Sequence, residues 1–157
     1  MKKLVILSDT HRNLNAISSI YDILKESDYI FHLGDHYDDM DFLFDEFKDK
    51  LYRVYGNCDY GRDPKEIIVE IEGRKIFVTH GDLYGVKYSN AKLLTRAKEL
   101  GANVVLYGHT HRAEITEING ITFINPGCVE RYAAQKSFCY AVISGDNITA
   151  VINKNIG

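Results

Sequence analysis

Short apolar runs that stop at polar loops constrain the fold of this chain more than any other feature. Residues 3–7, 29–33 and 103–107 are such runs, rich in Val, Ile, Leu and aromatic side chains. Each is too short for a helix and lacks polar alternation, so each predicts a central strand that is covered on both faces. A fold with such strands must place further layers above and below its sheets.

Helical spacing of apolar residues follows or precedes these runs. Residues 13–25, 38–47 and 89–100 show it, with Asn13 as an expected amino-terminal cap and Gly101 as an expected carboxyl-terminal cap. The order of strand, helix and strand at the start of the chain predicts a parallel pair with a right-handed crossover.

The remaining segments predict further strands. Residues 66–71 and 75–78 flank Glu72-Gly73-Arg74, which predicts a hairpin. The other predicted strands cover residues 51–54, 113–118, 121–125, 138–144 and 147–153. Alternating strands and helices followed by mostly antiparallel strands predict two stacked sheets with helices outside, an α/β fold class.

Composition limits the classes of protein to consider. The chain has 157 residues, 45% hydrophobic and 26% charged, which predicts one domain over residues 1–157. Its 19 basic and 22 acidic residues give a net charge of −3, so it lacks the basic surface that binds a nucleic-acid polymer. Three cysteines without a Cys-x-x-Cys pair argue against disulfides and predict a cytoplasmic protein. Since no signal peptide or run of about 18 apolar residues is found, we expect no membrane segment.

Metal-ligating residue types collect directly after the predicted strands. They are Asp9, His11, Asp35, Asn57, His80, His109 and His111. Strand ends meet at one crevice in sheets of this kind, and divalent cations satisfy carboxylates and imidazoles that would otherwise lack partners. In extended backbone the i, i+2 pairs Asp9/His11 and His109/His111 would each point to one side. The donors suit Mn, Fe, Co, Ni or Zn better than Ca, and seven are too many for one tetrahedral ion.

Simpler interpretations exist for each residue taken alone. A single Asp after a strand is usually a cap or turn residue, and Asn57 beside Gly56 is explained by a turn. His109-Thr110-His111 is less usual in an ordinary loop. Because all these residues fall on strand ends, their joint occurrence favours a metal site.

The ordered motifs are recognisable as a set. They are Asp9-x-His11, Gly34-Asp35, Gly56-Asn57-Cys58-Asp59, Thr79-His80-Gly81-Asp82 and Gly108-His109-Thr110-His111, followed by Asn125-Pro126-Gly127. This order resembles the calcineurin-like metallophosphoesterase superfamily, in particular its small bacterial and archaeal phosphodiesterase branch. The resemblance implies a four-layer α/β/β/α sandwich of two mixed β-sheets flanked by helices, with a two-metal centre at the strand ends.

The resemblance also assigns the ligands to ions. Asp9, His11 and His111 would hold one ion, Asn57, His80 and His109 would hold the other, and Asp35 would bridge them. Asp35, Asn57 and His109 are also the implied catalytic residues. Mn²⁺ is the first expectation for both ions, with Ni²⁺, Fe²⁺, Co²⁺, Zn²⁺ and Mg²⁺ as alternatives.

The implied activity is hydrolysis of small or nucleotide-like phosphodiesters through in-line attack by a hydroxide that both metals hold. Cys58 stands where many members of the superfamily carry a His that protonates the leaving oxygen. A thiol is a weak hydrogen-bond donor. We therefore expect substrates with good leaving groups to react much faster than alkyl phosphomonoesters.

Other functions and other roles stay open at this point. A protein-interaction scaffold is the main alternative, because a non-catalytic retromer subunit of eukaryotes has the same fold. A nuclease acting on long polymers would need a basic groove. Asp59 and Asp82 could orient ligands or bond local backbone, and Arg12 and Arg62 could reach a substrate phosphate or be solvated. Three tyrosines in two loops could stack on a base or cover the core: Tyr60, Tyr84 and Tyr88. An exposed sheet edge or face could make a homodimer or homotetramer.

Overall fold

The structure is a computed structural model that describes residues 1–60 and 64–157, so Arg62 lies outside the described residues. The strands are β1 (Lys2–Leu7), β2 (Tyr29–His32), β3 (Leu51–Arg53), β4 (Glu66–Ile71), β5 (Arg74–Thr79), β6 (Val104–Leu106), β7 (Ala113–Ile118), β8 (Ile121–Pro126), β9 (Phe138–Ser144) and β10 (Asn147–Asn153). The α-helices are α1 (Leu14–Ser19), α2 (Tyr21–Glu26), α3 (Phe44–Phe47) and α4 (Ala91–Leu100). Short 3₁₀ helices cover Tyr37–Leu43 and Asp82–Tyr84.

The strands form two mixed five-stranded sheets. The first has the order β10-β9-β1-β2-β3, in which β1, β2 and β3 are parallel and β9 is antiparallel to β1. The second has the order β4-β5-β6-β8-β7, with parallel pairs at its centre and antiparallel pairs at both edges. The two late strands β9 and β10 return to the first sheet as antiparallel strands, and β7 pairs antiparallel with β8, so the late part of the chain is mostly antiparallel as predicted.

Alternate residues of the central strands face opposite layers, as the twofold repeat of a strand requires. Leu4 and Ile6 lie in the core between the sheets, whereas Val5 and Leu7 pack with α1 and α2. On the far side of the second sheet, Val105 packs with α4. The predicted four-layer α/β/β/α sandwich is confirmed.

The prediction of one helix over residues 13–25 is wrong in one respect, because the helix is broken at Ile20. Asn13 caps α1 as expected, its side chain accepting a hydrogen bond from the Ala16 N–H. The Ser19 hydroxyl then donates to the Ala16 carbonyl oxygen at 2.6 Å. Such a local side-chain bond competes with the helical ladder, which accounts for the break just before α2.

The helix predicted over residues 38–47 is a 3₁₀ segment followed by one turn of α3. The start of the last helix also differs, because α4 begins at Ala91 rather than at residue 89, although Gly101 ends it in the left-handed conformation as predicted. Within the described residues, no helix has the length and apolar character needed to cross a membrane.

Candidate metal centre

The carboxyl ends of five strands gather all seven predicted site residues at one end of the two sheets. The residues that follow the strands are Asp9 and His11 after β1, Asp35 after β2, Asn57 after β3, His80 after β5, and His109 and His111 after β6. The first sheet therefore supplies both carboxylates and the amide, and the second sheet supplies three of the four imidazoles. The site exists only where the two sheets meet.

The backbone at these residues is not extended, so the premise for the i, i+2 pairs was wrong. The positive φ angles are 52° at Asp9, 42° at His11, 60° at Asp35, 72° at His109 and 62° at His111. Residues other than glycine rarely adopt this left-handed backbone conformation, and such conformations concentrate at functional sites. Tight turns rather than strand alternation direct the side chains inward, and His109 and His111 consequently face different clusters.

Two glycines let these loops approach closely. A Cβ at Gly108 would overlap the Ser8 hydroxyl, and a Cβ at Gly56 would overlap the Asp35 carboxylate. Glycine is the residue that allows such contact of backbone with a neighbouring group. The Gly-Asn and Gly-His motifs are therefore requirements of loop packing as well as of chemistry.

The first group of donors is called here the Asp9 cluster and consists of Asp9, His11, Asp35 and His111, whose donor atoms all lie within 4.8 Å of one another. The Asp9 Oδ1 atom lies 3.2 Å from His111 Nε2 and 3.8 Å from His11 Nε2. The Asp35 Oδ2 atom lies 3.9 Å from His11 Nε2. Asp9 is fully buried, and its other oxygen accepts bonds from the Ser8 hydroxyl and the His109 N–H.

The second group, the His80 cluster, consists of Asp35, Asn57, His80 and His109. His80 Nδ1–H donates to the Leu33 carbonyl oxygen at 2.8 Å, which directs Nε2 toward the other donors. That Nε2 lies 3.1 Å from Asn57 Oδ1, 3.1 Å from His109 Nδ1 and 3.5 Å from Asp35 Oδ2. Several acceptor atoms facing one another need a proton or a cation between them.

The charges in the site act strongly on one another. Burial raises the pKa of the Asp9 carboxyl, but the neighbouring His11 and His111 imidazoles outweigh burial and bring this pKa far below its usual range. The nearby Asp9 carboxylate raises the pKa of His11, and it raises the pKa of His111 to about 10. Burial and the nearby charges of His80 and Lys87 lower the pKa of His109. The region around Asp9 therefore has a negative potential that attracts a cation.

Two buried atoms test whether a metal fits. Among the described residues, Asp9 Oδ1 and His11 Nε2 are buried without a hydrogen-bond partner. Orphaned buried acceptors cost free energy unless a cation or proton satisfies them. Since they belong to the same cluster and carboxylate and imidazole are common ligands of transition metals, the residues fit a divalent ion.

Asp59 supports the site through the backbone. Its carboxylate accepts bonds from the N–H groups of Asp35, His36, Tyr37 and Gly56. It therefore fixes the loops after β2 and β3, which is one of the two roles considered for it from the sequence. Asp59 thus ties Asp35 indirectly to the Asn57 loop.

Asp82, the other acidic residue considered with Asp59, lies with its carboxylate 3.5 Å from the Lys65 ammonium nitrogen.

A buried polar network behind the site was not predicted. His32 is fully buried, its Nδ1 accepts a bond from the Gly34 N–H, and its Nε2 lies 2.9 Å from the Thr10 hydroxyl. Thr10 donates to Asp39 Oδ2 at 2.7 Å, and the Arg12 N–H donates to the same oxygen. The network joins the loop that contains Asp9 and His11 to the loop that contains Asp35. A histidine within an apolar strand is the sequence signal that points to it.

Two further residues border the site. The Glu130 Oε2 atom lies 3.6 Å from His111 Nδ1, on the side away from Asp9, and sequence reasoning missed it because no motif marks it. The Cys58 N–H donates to Asp35 Oδ1 at 2.9 Å. Desolvation and the Asp35 carboxylate raise the pKa of the Cys58 thiol, so this thiol carries its proton at neutral pH.

Comparison with known proteins agrees with this geometry. Residues 1–147 match the calcineurin-like phosphoesterase superfamily domain, so the chain belongs to this superfamily. The probable metallophosphoesterase YsnB of Bacillus subtilis is 32% identical over 152 residues, which cover 94% of this chain and 87% of YsnB. The phosphodiesterase MJ0936 of Methanocaldococcus jannaschii is 32% identical over 146 residues, which cover 80% of this chain and 82% of that protein. The family resemblance of the motifs is confirmed, and the chain is a phosphoesterase by family.

The fold is shared more widely. The structure of vacuolar protein sorting 29 from Cryptosporidium parvum superposes with a TM-score of 0.80 and 19% identity, over 99% of this chain and 98% of that one. At this identity the likeness concerns the fold alone. The chemistry must therefore be argued from the site residues.

Proposed function

We propose that this chain is a dinuclear-metal phosphodiesterase that acts on small or nucleotide-like phosphodiesters. The observation that carries the proposal is the arrangement of seven donor side chains in two clusters that share Asp35. A carboxylate common to both clusters suits a bridge between two ions. Mn²⁺ is the expected ion in both.

The seven donor residues are assigned to two ions. Asp9, His11 and His111 would hold one ion, Asn57, His80 and His109 the other, and Asp35 both. When bound, two such ions lower the pKa of a water molecule and offset charge on the phosphate oxygens. The hydrogen bond from His80 Nδ1–H to the Leu33 carbonyl oxygen and the bond from the His109 N–H to Asp9 Oδ2 fix these side chains before any ion binds.

Cys58 sets the leaving-group preference. Its thiol is protonated at neutral pH but is a weak hydrogen-bond donor, so it protonates a poor leaving oxygen inefficiently. An aryl oxide leaves without such help, because its own pKa is low. Aryl diesters are therefore the substrates on which the activity is easiest to detect.

Two small cavities beside the Asp9 cluster favour nucleotide-like substrates. One of about 190 Å³ is lined by residues that include Cys58 and Tyr60, and one of about 200 Å³ is lined by residues that include His11 and Tyr132. Arg12 lines both. Tyr60 is fully exposed and Tyr132 is 89% exposed, so neither covers the core. Exposed aromatic rings beside a phosphate site are suited to stacking on bases.

A metal-exchange experiment tests the proposal. The protein is stripped of metal, reloaded separately with Mn²⁺, Ni²⁺, Mg²⁺ or Zn²⁺, and assayed on bis(p-nitrophenyl) phosphate and on a sugar monophosphate, with bound metal counted by mass spectrometry. We expect two ions per chain, metal-dependent hydrolysis of the diester, and little hydrolysis of the monophosphate. Activity that is unchanged after complete metal removal, or equal rates on both substrates, would contradict the proposal.

The same experiment separates an enzyme from a scaffold. A scaffold of this fold would show no hydrolysis with any ion, even when two ions are bound. The presence of all seven donors favours the enzyme, because the proposed hydrolysis requires both ions.

A further inference from the structure

A third cavity begins at the loop that carries His109 and His111. It has a volume of about 340 Å³ and is polar. Its lining consists of Val86, Lys87, Tyr107, Thr110, Arg112 and Glu114. Thr110 stands between the two histidines in sequence, so the cavity adjoins the metal centre on the side of the second sheet.

Two cations line this cavity without a carboxylate partner. Neither the Lys87 ammonium nor the Arg112 guanidinium forms an ion pair within 4.0 Å among residues 1–60 and 64–157. Both side chains are exposed at the mouth. Lys87 lies close to the loop that carries His109 and His111, since it lines the same cavity as Thr110. Unpaired Lys and Arg at the edge of a polar cavity are suited to bind an anion.

The floor of the cavity is fixed by hydrogen bonds. The Asn125 side chain donates to the Thr110 hydroxyl at 2.9 Å, and the Arg112 N–H donates to the same oxygen at 3.1 Å. Asn90 donates to the hydroxyl of Tyr107, which is almost fully buried. The Lys87 and Arg112 side chains therefore lie beside residues that hydrogen bonds already hold in place, so ligand binding requires little rearrangement of these residues.

The lining also indicates which anion fits. Among the described residues that line the cavity, Glu114 is the single acidic one, so Lys87 and Arg112 leave the lining with one excess positive charge. A phosphorylated sugar fits such a mixed lining, because it offers phosphate oxygens to the two cations and a hydroxyl group to the Glu114 carboxylate.

Building on the proposed phosphodiesterase activity, we propose that Lys87 and Arg112 form a subsite for a second phosphate of the substrate. The preferred substrates are then nucleotide phosphodiesters whose sugar carries another phosphate group beyond the scissile one. Because Thr110 lines the cavity and stands between His109 and His111, a substrate whose scissile phosphate lies at the metal centre would extend toward this cavity past Thr110. Lys87 and Arg112 determine specificity and take no part in bond breaking.

A pair of matched chromogenic substrates tests the subsite. One is the p-nitrophenyl ester of thymidine 5′-phosphate with a free 3′-hydroxyl, and the other carries a phosphate at that position. We expect kcat/KM to be about tenfold higher for the 3′-phosphorylated ester, since a charge-assisted bond to phosphate is stronger than a neutral one. The ratio of the two kcat/KM values should fall toward one in Arg112→Ala and in Lys87→Ala. In the control variant Lys98→Ala, which removes an exposed lysine on α4, the ratio should stay at the wild-type value.

Binding gives a second readout that does not depend on turnover. Thymidine 3′,5′-bisphosphate should bind more tightly than thymidine 5′-monophosphate by calorimetry, and Arg112→Ala should remove the difference. Equal binding of the two nucleotides, or a ratio of kcat/KM near one in the wild type, would overturn the subsite. Failure to hydrolyse either ester would instead refute the phosphodiesterase activity, and the binding comparison would still decide whether the subsite exists.

Discussion

The Asp9 cluster and the His80 cluster share Asp35 but differ in charge. The first contains two carboxylates, whereas the second contains only the shared one and completes its set with an amide. Burial is similar in the two, because each combines deeply buried and partly exposed donors. Charge rather than access to solvent therefore distinguishes the two halves of the site.

The pKa directions follow this difference only in part. The nearby Asp9 carboxylate raises the pKa of His11 and His111, whereas burial lowers the pKa of His109. Burial also lowers the pKa of His80, but the Asp35 and Asp9 carboxylates outweigh it and raise this pKa. The same field that stabilises protonated imidazoles stabilises a metal ion more strongly, because the ion has twice the charge. If two ions bind as proposed, we therefore expect the Asp9 cluster, with its two carboxylates, to hold its ion more tightly than the His80 cluster.

Removing the shared carboxylate should have the largest effect. In Asp35→Asn both clusters lose their common anionic ligand, so we expect hydrolysis of bis(p-nitrophenyl) phosphate to fall by at least about 10³-fold, as several kcal/mol of charge stabilisation are lost. Metal analysis should show fewer than two ions per chain. Asp45→Asn, which changes an exposed carboxylate on α3, is the matched control and should keep both ions. Two ions retained in Asp35→Asn would show that the clusters are independent.

Stepwise metal titration should show directly that the two clusters bind metal with unequal affinity. We expect two dissociation constants that differ by about tenfold or more, because the number of ligand charges tunes affinity. In Asp9→Asn the tighter constant should weaken by about 100-fold and the other should change less. Calorimetry with Mn²⁺ measures both. Two equal constants in the wild type would remove the distinction between the clusters.

The buried network behind the Asp9 cluster should make stability depend on pH. Burial lowers the pKa of His32 from 6.5 to about 3. The unfolded chain therefore takes up a proton first as the pH falls, so the stability contributed by neutral His32 is present above pH 6.5 and is lost between 6.5 and 3. Since His32→Gln lacks this group, the free energy of unfolding of the wild type should fall by about 2 kcal/mol more than that of the variant between pH 7 and pH 5. Urea unfolding at both pH values measures the difference, and parallel losses would exclude the assigned role of His32.

The smallest effect is expected for Glu130. Its carboxylate lies 3.6 Å from His111 Nδ1 and is partly exposed, so it orients this histidine only weakly. Glu130→Gln should weaken the tighter Mn²⁺ constant by about tenfold, the lower end of the range for groups behind metal ligands. The other constant should not change. Equal weakening of both Mn²⁺ dissociation constants would show that Glu130 does not act on the Asp9 cluster alone.

The sequence was sufficient to predict the strands and the convergence of the seven donors. Apolar runs such as residues 3–7 and 103–107 are buried on both faces, so local composition and tertiary environment agree there. The helices on the first sheet were predicted less well. Ser19 and its bond to Ala16 decide the break after α1, and residue spacing alone does not show it.

The geometry of the site was beyond sequence reasoning for a physical reason. The left-handed conformations at Asp9 and His109 persist because surrounding loops hold them, and those contacts join residues far apart in the chain. The contact of Glu130 with His111 likewise depends on the return of the chain to the first sheet. Motif order could indicate which residues meet, but only tertiary packing determines how they face one another.

The hydrogen bond from the His109 N–H to Asp9 Oδ2 joins residues 100 positions apart. A ribosome therefore releases Asp9 and His11 long before the imidazoles that complete the site. A growing chain has isolated donors but no finished centre, so we expect an ion to bind only after both sheets have closed over the intervening chain. Metal content should therefore report how much of the protein in a preparation has finished folding.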